Sequence, residues 1–256
     1  MPNDLTHSLE RSIIICAERS TVFRFFTDSH LFADWWGEGS TIDGSVGGSV
    51  LIRYPNGISA SGKILEIEPP ERIVFTYGYE SGKPFPPSES RVAITLKEHS
   101  SGTLLTLQHE LADAAVRDEH IQGWRYQLAL FANVASRYQH SNAQQHVDAY
   151  FDLWNTSDSD ARLKKMNGLL QQDVVFQDRY SCTSGLVDLN AHLTAYQHFM
   201  PGLIISRDGE PQQCQGTVLC RWIASKSDGA QAGKGLNVFL LSPQGLIRRI
   251  TGFWDL

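Results

Sequence analysis

The chain has 256 residues, enough for two domains of about 100 to 150 residues that each bury a core of their own. Its 22 basic and 28 acidic residues give a net charge of −6, which excludes the basic footprint of a nucleic-acid-binding protein. No apolar run is long enough to span a bilayer, and residues 1–9 lack the basic and apolar segments of a signal peptide. We therefore expect a cytoplasmic protein that binds neither nucleic acid nor a membrane.

The cysteines indicate neither a disulfide framework nor a metal site. No CxxC spacing occurs among Cys16, Cys182, Cys214 and Cys220, and scattered thiols in a reducing compartment usually pack as small apolar groups. A phosphate-binding loop is not predicted either, because residues 229–235 (GAQAGKG) lack the required strand-to-helix context and indicate a hairpin turn. We expect no metal and no cofactor.

The first half begins with a predicted strand at residues 12–16 and two short helices at residues 19–27 and 31–36. After Gly37 the apolar residues recur with a period of two, which is typical of strands with one buried face. The predicted strands of this curved antiparallel sheet cover residues 50–54, 58–67, 73–79, 92–96 and 105–107.

A long amphipathic helix at residues 119–138 closes this half. Its apolar residues recur at steps of three and four and form one stripe: Ile121, Trp124, Leu128, Phe131, Ala135 and Tyr138. The stripe needs cover, and so does one face of the preceding sheet. A sheet this long wraps a single helix and leaves a space beneath it unless bulky side chains fill that space.

Four segments of this half carry a family resemblance: residues 22–36 (VFRFFTDSHLFADWW), 67–77 (IEPPERIVFTY), 91–111 (RVAITLKEHSSGTLLTLQHEL) and 120–130 (HIQGWRYQLAL). Together, residues 9–138 resemble the START-like superfamily, in the branch named for similarity to the activator of the heat-shock protein 90 ATPase. The resemblance implies a helix-grip fold that holds apolar ligands in a deep cavity between sheet and C-terminal helix. Some members are polyketide cyclases, and others bind lipids or chaperones.

Aromatic residues are the candidates to line this cavity, although at strand and helix spacing each is more often simply core: Trp35, Trp36, Tyr54, Tyr77 and Trp124. His109 follows Leu107 on the same strand face and is expected to point inward. A lone histidine there is more often hydrogen-bonded structure than a catalytic base. We find no nucleophile, metal cluster or carboxylate pair in this half.

The second half follows a polar tract, residues 139–145 (QHSNAQQ), which we interpret as a linker. Helical stripes are predicted at residues 147–154 and 163–170, and the polar joint between them, residues 155–160 (NTSDSD), is suited to cap the second helix. The remaining predicted elements are a strand at residues 174–178, a helix at 188–200 and strands at 203–207, 216–224, 235–241 and 246–254. This order is typical of an α+β cone.

Residues 144–256 resemble the nuclear-transport-factor-2-like superfamily, in its SnoaL-like polyketide cyclase and ketosteroid isomerase branch. The resemblance rests on AYFDLWNTSD, VVFQD, Gly185, Pro201-Gly202, GLNVFLL and GLIRRITGFW. By this resemblance Tyr150 matches the tyrosine that donates to the developing oxyanion, and Asp178 matches the aspartate that shuttles the proton. Asn237 stands where those isomerases place a protonated carboxylic acid, and an amide still donates a hydrogen bond.

Asp178 also has a case that is independent of the family. Strand alternation places it on the same face as Val174 and Phe176, where partial desolvation would favour a general base for a proton α to a carbonyl. We predict an enclosed pocket of about 300 Å³ with the Asp178 carboxylate at its floor. The alternative is that Asp178 accepts hydrogen bonds from residues 179–183 or pairs with Arg179, with Tyr150 as a core aromatic.

Other residues are candidates to reach the cone. Phe176, Trp222 and Phe239 are expected to line its interior, and a cone packed solid by them and Trp254 would exclude the enzyme interpretation. His192 and His198 are also near enough, but an exposed or capping role is the more frequent one for such histidines.

We predict an α+β protein with a START-like helix-grip domain at residues 1–138, a linker at 139–145 and a cone-shaped α+β barrel of the nuclear-transport-factor-2-like type at 146–256. The predicted function is binding of small hydrophobic molecules in one or both cavities, with isomerase- or cyclase-like proton transfer in the cone. The alternative is a non-catalytic module that binds a protein or self-associates. We expect no chaperone partner, and the C-terminal sheet is the candidate homodimer interface.

Overall fold

The computed structural model describes residues 4–255, and the chain forms two compact units, Met1–Ser136 and Arg137–Leu256. Residues 1–3 and 256, which the predicted domain limits and the signal-peptide argument also cover, lie outside the described residues. Both units combine helices with a sheet, so the predicted α+β class is confirmed. None of the described helices is long and apolar enough to cross a membrane.

The N-terminal unit begins with a strand, two short helices and a run of further strands, and ends with a long helix. Its elements are β1 (His7–Ile15), α1 (Arg19–Arg24), α2 (Ser29–Trp36), β2 (Thr41–Ile42), β3 (Ser49–Arg53), β4 (Ser59–Glu68), β5 (Arg72–Tyr77), β6 (Ser90–His99), β7 (Gly102–Leu111) and α3 (Ala114–Gln139). The seven strands form one antiparallel sheet in the order β1-β7-β6-β5-β4-β3-β2.

Helix α3 covers this sheet with the predicted apolar stripe. Trp124, Leu128, Phe131 and Ala135 are buried, whereas Tyr138 at the end of the stripe is 38% exposed. The Phe131 ring lies 4.6 Å from the Trp35 ring of α2, so the short helices and α3 share one aromatic core. The helix begins five residues before the predicted start, because Asp113 accepts the backbone N–H of Val116 and caps it.

The C-terminal unit places helices against a bent sheet. Its elements are α4 (Ala143–Asn155), α5 (Ser159–Leu169), β8 (Leu170–Gln177), β9 (Cys182–Ser184), α6 (Leu186–Phe199), β10 (Ile204–Cys214), β11 (Thr217–Ser225), β12 (Gln231–Leu241) and β13 (Ile247–Trp254). The sheet order is β10-β11-β12-β13-β8-β9, and only the pair of β13 with β8 is parallel among the described strands.

Two boundaries in this unit differ from the sequence-based prediction. Residues 143–145, assigned to the linker, already belong to α4, because glutamine and alanine are good helix formers although they are not apolar. Residues 231–234, assigned to a turn, belong to β12. The predicted cap of α5 is present: Asp158 Oδ1 accepts the backbone N–H of Ala161 at 2.8 Å.

A fully buried arginine ties α5 to α6. Arg162 donates from Nε to Asn190 Oδ1 at 2.7 Å and from Nη1 to the Thr156 carbonyl at 2.7 Å and to Gln197 Oε1 at 3.1 Å. Nη2 donates to the Asn190 carbonyl at 3.2 Å and to the Thr194 hydroxyl. Each N–H of the guanidinium therefore has an acceptor, and burial lowers its pKa from the ordinary value.

Candidate functional site

A cavity of about 440 Å³ lies in the N-terminal unit beneath α3. Its walls are largely aromatic: Trp35, Trp36, Tyr54, Pro55, Asn56, Ile58, Tyr77, Tyr79, His120, Gly123, Trp124, Tyr126, Gln127 and Leu130. The predicted candidates Trp36, Tyr54, Tyr77 and Trp124 all belong to this wall. No aspartate, glutamate, lysine or arginine is among these lining residues, so the cavity offers no partner for a buried charge.

Helix α3 contributes a second, mixed stripe that the sequence analysis missed. His120, Gly123, Gln127 and Leu130 follow at steps of three and four beside the apolar stripe and face the cavity. A Cβ atom added at Gly123 would have no atom within 4 Å, so the space at this point of the helix is open. The regular spacing was visible in the sequence, but its residue types are not those of a core.

Two tyrosine hydroxyls meet in the cavity wall. The Tyr54 and Tyr77 oxygens lie 2.7 Å apart, and burial raises the pKa of both phenols above the ordinary value. Both hydroxyls therefore keep their protons over the ordinary pH range. One proton makes the bond between them, and the second is free to donate to another acceptor.

Tyr79 and His120 form a second polar pair. His120 Nδ1 lies 2.7 Å from the Val116 carbonyl, which only accepts, so Nδ1 carries a proton. The Tyr79 hydroxyl lies 3.0 Å from His120 Nε2, which accepts from it when the ring is neutral. Gln127 donates from Nε2 to the Trp35 carbonyl, which leaves its amide oxygen as an acceptor beside the cavity.

His109 belongs to the scaffold behind this wall. Trp124 Nε1, which only donates, gives a 3.0 Å hydrogen bond to His109 Nδ1, so the ring proton is on Nε2. Nε2 then donates to Ser90 Oγ at 2.8 Å, and Ser90 donates to the Tyr77 carbonyl at 2.8 Å. Burial, and next the neighbouring His120, lower the pKa of His109 to about 3.

The cone of the C-terminal unit is nearly filled. The prediction of an enclosed pocket of about 300 Å³ or more is therefore wrong. The cavity there measures about 30 Å³, and Phe176, Asp178, Trp222, Asn237 and Trp254 are among its lining residues. The Trp222 and Trp254 rings pack 4.8 Å apart, edge to face. Such a space holds one or two water molecules and excludes a substrate.

Asp178 and Asn237 line the same small cavity, and the Asp178 carboxylate is close enough to Tyr150 to add to the rise that burial causes in the pKa of its phenol. Asp178 Oδ1 accepts the backbone N–H groups of Tyr180 and Ser181, each at 2.8 Å, and Oδ2 accepts from Trp254 Nε1 at 3.1 Å. This is the structural alternative that the sequence left open for Asp178.

Tyr150 and Asn237 have weaker polar contacts than Asp178 within the described part of the chain, and the Trp154 indole is the polar neighbour of the Tyr150 hydroxyl. The Tyr150 hydroxyl is buried beside the Trp154 indole, and no hydrogen-bond partner for it is found among the described residues. Burial raises the pKa of Tyr150. The Tyr150 ring packs 5.1 Å from Phe239, which fills the cone from the sheet side. Asn237 lines the small cavity, and within residues 4–255 its amide has no hydrogen bond.

The two candidate histidines of this unit, His192 and His198, are not among the residues that line the cavity. His192 Nδ1 lies 3.2 Å from Ser181 Oγ, and its ring packs against Phe176. Burial lowers the pKa of His192, although Asp178 and Asp188 act in the opposite direction. His198 is exposed. Within the described residues no group of three or more histidine, cysteine, aspartate or glutamate side chains is placed to hold a metal ion.

A family model described as "Activator of Hsp90 ATPase homolog 1-like protein" matches residues 17–136, so this part of the chain is similar to that family. No curated protein matches the chain. Among solved structures, a SnoaL-like family protein from Agrobacterium tumefaciens is 22% identical, covering 46% of this chain and 99% of that chain with a TM-score of 0.43.

Two further solved structures are similar to this chain. The AHSA1-like protein from Rhizobium etli is 27% identical, with 51% of this chain and 82% of that chain covered at a TM-score of 0.41. CalU16 from Micromonospora echinospora is 29% identical, with 54% of this chain and 82% of that chain covered at a TM-score of 0.42.

Proposed function

We propose that the N-terminal unit binds a small, predominantly apolar molecule in the cavity beneath α3. The observation that carries this proposal is the contrast between the two interiors, about 440 Å³ in the first unit and about 30 Å³ in the second. Binding pockets for drug-sized molecules measure about 300 to 1,000 Å³ and are lined mainly by apolar and aromatic groups. The first cavity meets both conditions, whereas the interior of the cone is too small.

A few polar groups in the wall supply orientation. The free proton of the Tyr54 and Tyr77 pair is a donor, and the amide oxygen of Gln127 is an acceptor. The indole N–H groups of Trp35 and Trp36 are buried and have no acceptor among the described residues. Because buried donors are nearly always paired in proteins, these groups support an occupant that brings an acceptor atom.

Such hydrogen bonds matter for affinity. A ligand that buries about 300 Å² of apolar surface gains about 7 kcal/mol, and association itself costs a similar amount. The net affinity therefore depends on the polar contacts and on the preformed shape. The uncharged lining supports a ligand whose enclosed part is neutral, since burial of an unpaired charge is far more costly.

We do not extend catalysis to the cone. Proton transfer by Asp178 requires an enclosed substrate beside its carboxylate, and the interior of the cone beside it holds no more than water. The larger space of about 660 Å³ that Asp178 also lines is an open groove and not an enclosed site. The Asp178 oxygens already accept three N–H groups. The arrangement supports a structural role for Asp178 in holding residues 179–181 against β13.

Two glycine substitutions test the proposal. Gly123 of α3 and Gly168 of α5 both lie in helices, and a Cβ at either position would meet no atom within 4 Å. Gly123→Leu fills the cavity mouth, whereas Gly168→Leu adds the same side chain on the other unit. Each should raise the free energy of unfolding by up to about 1 kcal/mol through helix propensity.

The readout is the fluorescence of the uncharged probe N-phenyl-1-naphthylamine titrated with the full chain. We expect saturable binding by the wild type and by Gly168→Leu, and at least about a tenfold weaker Kd for Gly123→Leu. Wild-type protein without saturable binding, or equal binding by both variants, would refute the proposal that this cavity is the site.

For the C-terminal unit we propose self-association through the outer sheet face. Leu219 pairs across the strands with Val238, and Leu236 pairs with Phe253. These side chains alternate with the inward residues, and Phe253 is 53% exposed. Arg221 and Thr251 lie on the same face beside these apolar positions, and a second copy of the chain would cover the apolar ones.

A further inference from the structure

A second hollow, of about 430 Å³, adjoins the aromatic cavity. Glu38, Arg53 and Ser59 line it together with most of the tip of the β3–β4 hairpin. Tyr54, Pro55 and Ile58 of this tip belong to the walls of both spaces. The hairpin tip is therefore a partition with a neutral aromatic space on one side and a charged hollow on the other.

The position of Arg53 in this hollow is fixed by its surroundings. Its backbone N–H donates to Ser40 Oγ at 2.9 Å, and the Ser40 hydroxyl donates to the Arg53 carbonyl at 3.5 Å. The side-chain stem lies on Gly39, where a Cβ atom would come within 2.9 Å of Arg53 Cδ. Gly39 has a φ of +82°, so glycine suits both the turn and the close approach.

Arg53 is an exposed residue, and its guanidinium differs from those of three paired arginines of this unit. Arg19, Arg72 and Arg91 form ion pairs with glutamates, whereas Arg53 has no side-chain hydrogen bond or ion pair within residues 4–255. Glu38 lines the same hollow, and no ion pair joins it to Arg53 within residues 4–255. Arg53 therefore brings a planar guanidinium with five N–H donors to a hollow that adjoins the ligand cavity.

We propose that Arg53 binds an anionic group, a carboxylate, sulfonate or phosphate, on the ligand whose apolar body occupies the aromatic cavity. The inference rests on the proposed function and specifies its ligand as amphipathic. The aromatic cavity has no charged lining and cannot take the anion, while the adjoining hollow has a fork-shaped cation suited to two parallel hydrogen bonds with oxyanion oxygens. Because the two spaces share the hairpin tip as a wall, a ligand that extends past the tip from the aromatic cavity would reach Arg53.

Two fluorescent probes that differ by one sulfonate test the inference on the full chain. 1-Anilinonaphthalene-8-sulfonate carries the anion, and N-phenyl-1-naphthylamine has the same ring system without it. Arg53→Gln should weaken binding of the sulfonate about 5- to 10-fold and leave the neutral probe unchanged. Lys97→Gln makes the same change in net charge at an exposed position on β6 that lines neither space, and should change neither affinity.

Glu38→Gln provides a test of opposite sign. Removal of the carboxylate should strengthen binding of the sulfonate about twofold, because one repulsive charge in the hollow is lost. The inference is overturned if either hollow variant binds the sulfonate as the wild type does, or if Lys97→Gln weakens it as much as Arg53→Gln. A wild type that does not bind the neutral probe refutes the proposed function itself, which is a distinct outcome.

Discussion

Acid sensitivity of the N-terminal unit should be dominated by one residue, His109. The ring is buried, and it accepts from Trp124 at Nδ1 and donates to Ser90 from Nε2. A second proton on His109 Nδ1 would point at the Trp124 N–H, which already donates to this nitrogen. The folded unit therefore favours the neutral form of the His109 ring. Burial, and then His120, lower the pKa of His109 from the ordinary 6.5 to about 3.

The sign follows from proton linkage. The folded pKa lies below the unfolded one, so the unfolded chain binds the extra proton between about pH 3 and pH 6.5. Stability is complete above the unfolded pKa and is lost as the pH falls towards the folded pKa. Between about pH 7 and about pH 5 the contribution of His109 to this loss is about 2 kcal/mol.

The assay is urea unfolding at these two pH values, followed by near-ultraviolet circular dichroism, for the wild type and His109→Gln. Glutamine keeps a donor and an acceptor but does not titrate, so the variant should lose about 2 kcal/mol less than the wild type on acidification. His99→Gln, at the exposed end of β6, should keep the wild-type pH dependence. Equal acid sensitivity of His109→Gln and wild type would refute the assignment.

Three further predictions concern the C-terminal unit. Arg162→Met should lower the free energy of unfolding, measured by urea titration, by about 2 to 5 kcal/mol, because the side-chain oxygens of Asn190 and Gln197 lose their hydrogen-bond donor. A loss no larger than that of the exposed control Lys164→Met would contradict this. Tyr150→Phe should be neutral or stabilising by up to about 1 kcal/mol, since the buried hydroxyl has no partner among the described residues, and a clear loss in the same assay would reveal one. Light scattering at micromolar concentration should give twice the monomer mass for the wild type and the monomer mass for Leu236→Lys, and a monomeric wild type would reject the sheet-face dimer.

The cavity could be predicted from the sequence only in part. The apolar stripe of α3 was visible from its spacing, because burial selects apolar residues at steps of three and four. The neighbouring stripe of His120, Gly123, Gln127 and Leu130 was not, because a cavity wall tolerates residue types that a packed core excludes. The hydroxyl pair of Tyr54 and Tyr77 joins two strands that are 23 residues apart, and a periodicity cannot supply such a contact.

The cone shows the same limit from the opposite side. Strand alternation correctly placed Asp178 with Phe176 at one cavity, but it gave no information on how the following loop turns back to donate to the carboxylate. Gly235 was predicted to begin a strand and lies in β12. A Cβ atom there would come within 2.7 Å of the Trp222 ring, so this glycine makes room for an indole, a requirement without a local sequence signal.

Whether each unit is hollow or filled depends on a few side-chain volumes at the contact between helix and sheet. In the N-terminal unit Gly123 leaves open space where α3 passes over the sheet. The side chains of Tyr54 and Tyr77 are held in place by the hydrogen bond between their hydroxyl groups. In the cone, glycine acts in the opposite way, because Gly235 lets the Trp222 ring lie flat against the sheet and Trp254 packs on that ring. Each aromatic side chain buries about 150 to 250 Å², so two indoles suffice to close an interior of this width. Glycine therefore has opposite effects in the two units. In the helix of the first unit it leaves space unoccupied, and in the sheet of the second it lets an aromatic ring occupy the interior.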